Sequence, residues 1–137
     1  MGEAFSAIDE YCSRAASESG VSPDSAFDYV FMMHARDWKL LHNAWNQRSA
    51  AWREACAYIL GQGPIRYCAP LLERGLADNE PAVALEAALS YAALLLGQEP
   101  PLQPAPQLRQ RLVAIVEAND SDSTKVIRSL LGHDKPS

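Results

Sequence analysis

The sequence is poor in cysteine: Cys12, Cys56 and Cys68 are its only thiols in 137 residues, with no Cys-x-x-Cys spacing. The odd number and the spacing point to free, buried thiols in a reducing compartment, with one disulfide and a spare thiol as the alternative. Histidine is as scarce. His34, His42 and His133 form no His-Glu-x-x-His, and none stands at zinc spacing from a cysteine, so no metal site and no cofactor are expected. Glycine is sparse, and Gly61-Gln62-Gly63-Pro64 has no following Lys-Ser/Thr, which makes it a turn and not a phosphate cradle. Asp120-Ser121-Asp122-Ser123-Thr124 starts like a calcium loop but has Lys125 where glycine is required and Leu131 where the closing glutamate belongs. The longest apolar stretch, Ala82 to Leu96, holds Glu86 and Ser90 and is too short to span a bilayer. The first residues have no basic and no apolar leader region. Met1-Gly2 with Ser6 fits a minimal myristoylation pattern, but Glu3 offers no basic second anchor. Positive charge is in deficit too. Twelve Lys and Arg against 17 Asp and Glu leave a net charge of −5, which argues against nucleic-acid binding as the main role. A cytoplasmic protein is the expectation.

What the chain does have is apolar residues, 48% of the total, in a length that makes one domain. No period-two strand occurs. Phe5, Ile8, Cys12 and Ala15 recur at helical spacing and predict a helix from about Glu3 to Ser19, with Gly20 just past its end. Ser22-Pro23-Asp24 reads as a helix start, with Ser22 as N-cap and Pro23 first in the helix. Val30, Met33, His34, Trp38, Leu41 and Trp45 continue one face. No Gly or Pro follows until Gly61, so residues 24–60 form one rod or two helices. The polar run Asn46 to Ser49 is the expected break, with Ser49 as the next cap. Trp38, Trp45 and Trp52 lie seven apart and would form one seam on an unbroken helix. A helix from about Ala50 to Leu60 and one opened by Gly63-Pro64 follow, the latter kinked or restarted at Pro70 and weakened by Gly75. Asn79-Glu80-Pro81 starts a helix to Leu96 that is apolar nearly all round and should be the most buried element. The Pro-rich segment 98–106 is a connector. Helices from Gln107 to Ala118 and from a Ser121 cap to Leu131 complete the chain, with Gly132 as stop and 133–137 as a frayed tail. The expectation is an all-α single domain over 1–137, a short antiparallel stack of about six helices.

The middle of the chain carries a more specific pattern. Arg53, Ala55 and Leu60-Gly61 are followed by Pro70, Leu71-Leu72, Leu76 and Asp78, then by Val83, Ala87-Ala88 and Leu94. Over residues 49–96 this resembles HEAT-like repeats, paired antiparallel helices stacked into an α-solenoid. Ala84 stands where an Arg is common in those repeats. The resemblance implies a protein-binding scaffold and carries no active site with it.

Charge is uneven along the chain. Residues 1–34 sum to −5, residues 35–77 to +3 and residues 78–137 to −3. An acidic front is ordinarily a solvated face, but opposite fields also speed encounter with a basic partner. Two surfaces are therefore candidate partner-binding sites: the acidic front of Asp9, Glu10, Asp24 and Asp28, and the region of Trp45, Arg48, Arg66 and Tyr67, where aromatic and Arg anchors coincide. The expected function is a non-enzymatic protein-binding module, in particular an immunity protein that neutralises a cognate toxin with a basic domain. The alternatives are a structural or regulatory adaptor subunit, a homo-oligomer joined through its Trp seam, and a small enzyme using His34, Asp37 and His42. Nucleic-acid binding would require the basic residues of 36–74 to cluster on one face.

Overall fold

The computed structural model describes residues 3–119 and 121–132, which are helical or in turns and connections, with no strand among them. The Gly2 motif, Asp120 and the tail at 133–137 lie outside the described residues. The helices are α1 (Glu3–Ser17), α2 (Asp24–Met32), α3 (Ala35–Trp45), α4 (Ala50–Leu60), α5 (Ile65–Gly75), α6 (Pro81–Leu96), α7 (Pro106–Ala118) and α8 (Lys125–Gly132), with a 3-10 turn over Asp122–Thr124 before α8. The all-α expectation holds, with more helices than the six or so read from the sequence.

Local chemistry explains most boundaries. α1 turns Ala4, Ile8 and Cys12 inward and ends at Ser17, two residues earlier than its apolar stripe suggests. Gly20 then takes φ +78°, a left-handed conformation that favours glycine. α2 starts at Asp24, with Pro23 before the helix and not inside it; the Ser22 hydroxyl accepts the Asp24 N–H at 3.3 Å. Ser49 caps α4 as expected, its hydroxyl accepting the Trp52 N–H at 3.1 Å. Pro81 and Pro106 stand in the first turns of α6 and α7, where a missing N–H costs nothing.

Three expectations are corrected. The break at 46–49 exists, but residues 24–60 are also broken at Met33-His34, both extended. Asp37 causes this second break: it is buried at the third position of α3 and its carboxylate accepts the His34 N–H at 2.9 Å. The expected break at 46–49, not the one at Met33-His34, keeps the tryptophans off one rod: Trp38 and Trp45 are on α3 and Trp52 is on α4. Trp45 and Trp52 meet edge-on at 6.4 Å, whereas Trp38 stacks flat on Tyr67 at 5.5 Å. Finally, α5 runs through Pro70 without a restart. Pro70 and Arg66 are both exposed, so water can take the Arg66 carbonyl that the proline leaves unbonded. At the other end, Ser121 does not cap with its side chain; its carbonyl accepts from Thr124, and α8 follows the 3-10 turn.

The helices stack in two rows. α1 packs on α4, α4 on α6, and α6 on α8. α3, α5 and α7 form the second row: Trp38 meets Tyr67, the Arg74 guanidinium donates to the His42 carbonyl at 2.7 Å, and α5 and α7 lie along α6. This is a helical-repeat-like arrangement. α2 lies against α1 and α4, on the flank of the stack. α6 is the hub, as its apolar circumference predicts; it buries Val83, Ala87, Ala88, Tyr91, Ala92 and Leu95 among others. Small residues bring the rows close. A Cβ on Gly75 would sit 2.8 Å from that of Ala87 and 3.5 Å from the Trp45 ring. The connector is tied back by the Leu102 N–H on the Leu95 carbonyl at 3.0 Å, with Pro104 buried beneath it. No helix among the described residues is long and apolar enough to cross a membrane.

Candidate functional site

The flank helix α2 has two unlike faces. Ala26 and Val30 point into the core. Asp24, Asp28 and Phe31 recur at spacings of four and three on the side away from the core and are exposed, and half-buried Phe27 stands at the edge of that stripe. Phe31 is 64% exposed, more than any other large apolar side chain among the described residues. Half-buried Phe27 leans on Tyr58 of α4, with ring centroids 5.8 Å apart, and Tyr58 is itself 45% exposed. Tyr58 then borders a groove of about 260 Å³ with Ala15, Ala51, Ala55, Glu54 and Glu86. Partial burial, together with the facing Glu54, raises the Glu86 carboxyl above its ordinary range. On the other side of α2 a groove of about 500 Å³ separates it from α1, lined by Glu10, Tyr11, Arg14, Ser22 and Tyr29 among others. Burial raises the Tyr11 phenol, and Cys12 and Tyr58 add to this. One acidic and aromatic band thus runs from α1 across α2 to α4 and α6.

Of the acidic front read from the sequence, Glu10, Asp24 and Asp28 belong to this band. Asp9 does not. Its carboxylate accepts from both Arg48 Nε and Nη2, at 3.0 and 3.1 Å, and from Trp52 Nε1 at 2.9 Å. Asp9 is an internal clamp between α1 and the α3–α4 turn, and it raises the Arg48 pKa through those hydrogen bonds.

The second candidate surface divides as well. Trp45 is 2% exposed and belongs to the core, so it can contact no partner from there. Arg48 is half-buried, paired with Asp9 and placed over the Trp52 ring. Arg66 alone is exposed; it lies over the half-buried Tyr67 ring at 5.5 Å, and that ring stacks on Trp38. The four residues named together from the sequence are therefore two separate structures, a core clamp and a surface stack.

The catalytic alternative is not assembled. His34 and Asp37 do line one cavity of about 320 Å³, with Glu3, Tyr29, Met32 and Arg36. Asp37, however, spends its oxygens on backbone N–H groups, those of His34 at 2.9 Å and Phe5 at 3.3 Å. His42 stands two turns further along α3, beside Arg74, outside that cavity; burial and then Arg74 lower its pKa. The three side chains do not converge. Cys56 and Cys68 are buried, and burial raises both thiols, Cys68 to about 12, which makes them poor nucleophiles. Among the described residues no three His, Cys, Asp or Glu side chains are placed to hold a metal ion.

Phe27, Phe31, Tyr58, Glu54 and Glu86 were not singled out from the sequence. The signal for the α2 residues is there: Asp24, Asp28 and Phe31 make one helical stripe on the side away from Ala26 and Val30, with Phe27 at its edge. Tyr58, Glu54 and Glu86 join it only through packing of α4 and α6.

The class these features define is an all-α, repeat-like stack with an acidic, aromatic outer band. No family model matches the chain, and no curated protein or solved structure matches it either.

Proposed function

We propose that this chain is a protein-binding module without catalytic function and that its partner is a basic protein. The observation that carries the reading is the outer face of α2. There Asp24, Asp28 and Phe31 are exposed on the side away from Ala26 and Val30, with half-buried Phe27 beside them against Tyr58, on a helix held by packing on α1 and α4. Aromatic anchors beside carboxylates suit a cationic surface: the rings supply buried area and the carboxylates supply steering and register. The Glu54–Glu86 groove extends the same sign toward the middle of the stack.

Within that reading, the scaffold is HEAT-like. Arg53, on the first helix of the pattern, forks onto Asp78 in the turn after the second, at 2.8 and 3.0 Å, which supports the spacing read over 49–96. The particular role is that of an immunity protein occluding the basic working surface of a toxin, an argument from size, shape and charge. Such a complex buries about 1,600 Å² or more.

The test is genetic and then kinetic. The chain is expressed beside the product of its neighbouring open reading frame, and growth and co-purification are scored. A toxic neighbour rescued through a stoichiometric complex is the expected result, and a harmless neighbour with no complex removes the immunity role. Asp24→Lys with Asp28→Lys should then slow association with the captured protein about tenfold or more at low salt. An unchanged association rate would take the α2 face out of consideration.

A further inference from the structure

α1 packs along α4, and contacts at three successive levels fix their register. At the first level the Trp52 indole donates to the Asp9 carboxylate at 2.9 Å, and Arg48 forks onto the same carboxylate. One turn further along each helix, at the second level, stand Cys12 and Cys56. At the third, Ala15 of α1 lines one groove with Ala55 and Tyr58 of α4. The contacts follow the same order along both helices, so α1 and α4 run parallel. Both cysteines are 0% exposed, and the two thiols are hydrogen-bond partners. Either cysteine taken alone would be a small apolar filler. Two of them at one level of two packed helices suit a disulfide, whose Cβ atoms stand about 3.5–4.5 Å apart.

Cys68 is held elsewhere. A Cβ on Gly63 would lie 2.6 Å from its Sγ, and the Gly63 backbone hydrogen-bonds to that thiol. Gly63 follows Cys56 along α4 and its exit by roughly 10 Å at the helical rise. Cys56 feels Cys68 only through charge, and less than it feels Cys12. The core therefore holds a facing pair, Cys12 and Cys56, and a third thiol beside the α4–α5 turn.

We propose that Cys12 and Cys56 are a modification site, a redox staple that closes to a disulfide between α1 and α4 and leaves Cys68 free. The co-reactant is a low-molecular-weight disulfide of the glutathione class. One protein thiolate attacks a sulfur of that disulfide, a mixed disulfide forms, and one glutathione thiolate leaves. The second protein thiolate then attacks the protein sulfur of the mixed disulfide, the Cys12–Cys56 bond forms, and the second glutathione thiolate leaves. Two protein thiols give up two protons and two electrons, and the oxidant is reduced to two thiols. Burial shields the pair in the closed stack and raises the Cys56 thiol, so exchange occurs as the chain folds or when α1 lifts from α4. The bond closes a loop of about 45 residues that contains α2 and α3, and it acts mainly by restricting the unfolded chain. The staple is independent of the binding role of the α2 face.

The experiment refolds the full chain from urea in a mixture of oxidised and reduced glutathione. Remaining thiols are then alkylated and the linked peptides mapped by mass spectrometry. The expected product has the helical circular dichroism of the reduced chain and carries the alkyl label on Cys68. Its Cys12–Cys56 link should be about tenfold or more as abundant as either other pairing. Its urea midpoint should lie about 1 M or more above that of the reduced chain. Cys68→Ala should leave both results unchanged, and Cys56→Ala should give no intramolecular link. If Cys56→Ala does not fold, the wild-type map decides alone. Three free thiols in the folded chain, a different pairing as the main product, an intramolecular link in folded Cys56→Ala, or a linked chain whose urea midpoint is unchanged or lower would each overturn the proposal.

Discussion

Asp78 shows how much one side chain holds in this fold. Its carboxylate takes a fork from Arg53 Nε and Nη2 and also accepts the Glu80 N–H at 3.0 Å, while Arg53 Nη1 reaches the Arg48 carbonyl at 2.7 Å. One ion pair thus joins α4 to the turn before it and to the turn that leads into α6. Burial alone would raise the Asp78 carboxyl, but the hydrogen bonds from Arg53 and Glu80 outweigh it and bring the carboxyl below its ordinary 3.8. The folded pKa is depressed, so the stabilisation is complete above the unfolded value and is lost as pH falls through the folded one. The side chains of Arg53 and Asp78 are 16% and 7% exposed. The cost of breaking the pair lies between that of a surface bridge and that of a buried one, so Arg53→Ala should cost about 2–3 kcal/mol at pH 7. Urea titrations at pH 7 and pH 3 check this, and the difference between wild type and variant should shrink at the lower pH. The thiols give a second residue-scale prediction. Cys68 is raised by burial from 9.0 to about 12, and Cys56 is raised as well. Both should react with a thiol reagent at pH 8 only after unfolding. Because the folded pKa of Cys68 is the higher one, its contribution to stability is present below pH 9 and declines above it.

Helix boundaries were legible wherever the cap chemistry is local. Ser49, Pro64, Pro81 and Pro106 each mark a start within a residue or two of the sequence reading. The break at Met33-His34 was not legible, for a physical reason: Val30, Met33, Trp38 and Leu41 are all buried, so the apolar pattern runs on while the chain turns. Asp37 supplies the missing stop, and histidine is not among the residues expected at a cap. The sevenfold spacing of Trp38, Trp45 and Trp52 makes a seam only if one helix carries all three, and the expected break at 46–49 puts Trp52 on α4, apart from Trp38 and Trp45 on α3. Asp37 also joins α1 to this corner by a hydrogen bond, through the Phe5 N–H. Asp37→Ala leaves two backbone N–H groups without their acceptor and should cost about 2–3 kcal/mol. Amide exchange should rise at the start of α3 and in the first turn of α1, with α6 unchanged relative to global unfolding. A uniform rise throughout the chain would mean that the corner opens only when the whole stack does.

At the scale of the whole molecule, the charge asymmetry of the sequence becomes a division between elements. α3, α5 and α7 each hold two cations and one anion, whereas α1 and α2 are acidic. The clustering asked of a nucleic-acid binder is met only in part, since Arg48 and Arg53 pair with Asp9 and Asp78, and Arg74 with the His42 carbonyl. The stack is also uneven in how firmly it is closed. α6 buries residues on all sides, whereas α7 buries only Leu112 completely. A groove of about 570 Å³ lined by Glu73, Ala77, Leu108 and Arg111 opens the second row between α5 and α7. The α7 end is held to α8 by Arg109, which donates to the Leu131 carbonyl. In stacked helices the stability of each element depends on its neighbours, so α7, lightly packed on α6 and α8, opens at lower free energy than α6, which packs on α4, α5, α7 and α8. Hydrogen exchange should therefore show α7 opening first, about 2–3 kcal/mol below the global free energy, with α4 and α6 exchanging only on complete unfolding. Arg109→Ala should widen that gap, because it removes a tie to α8 without touching the core. If α7 is instead protected as well as α6, the second row is closed in solution and the stack unfolds as one cooperative unit.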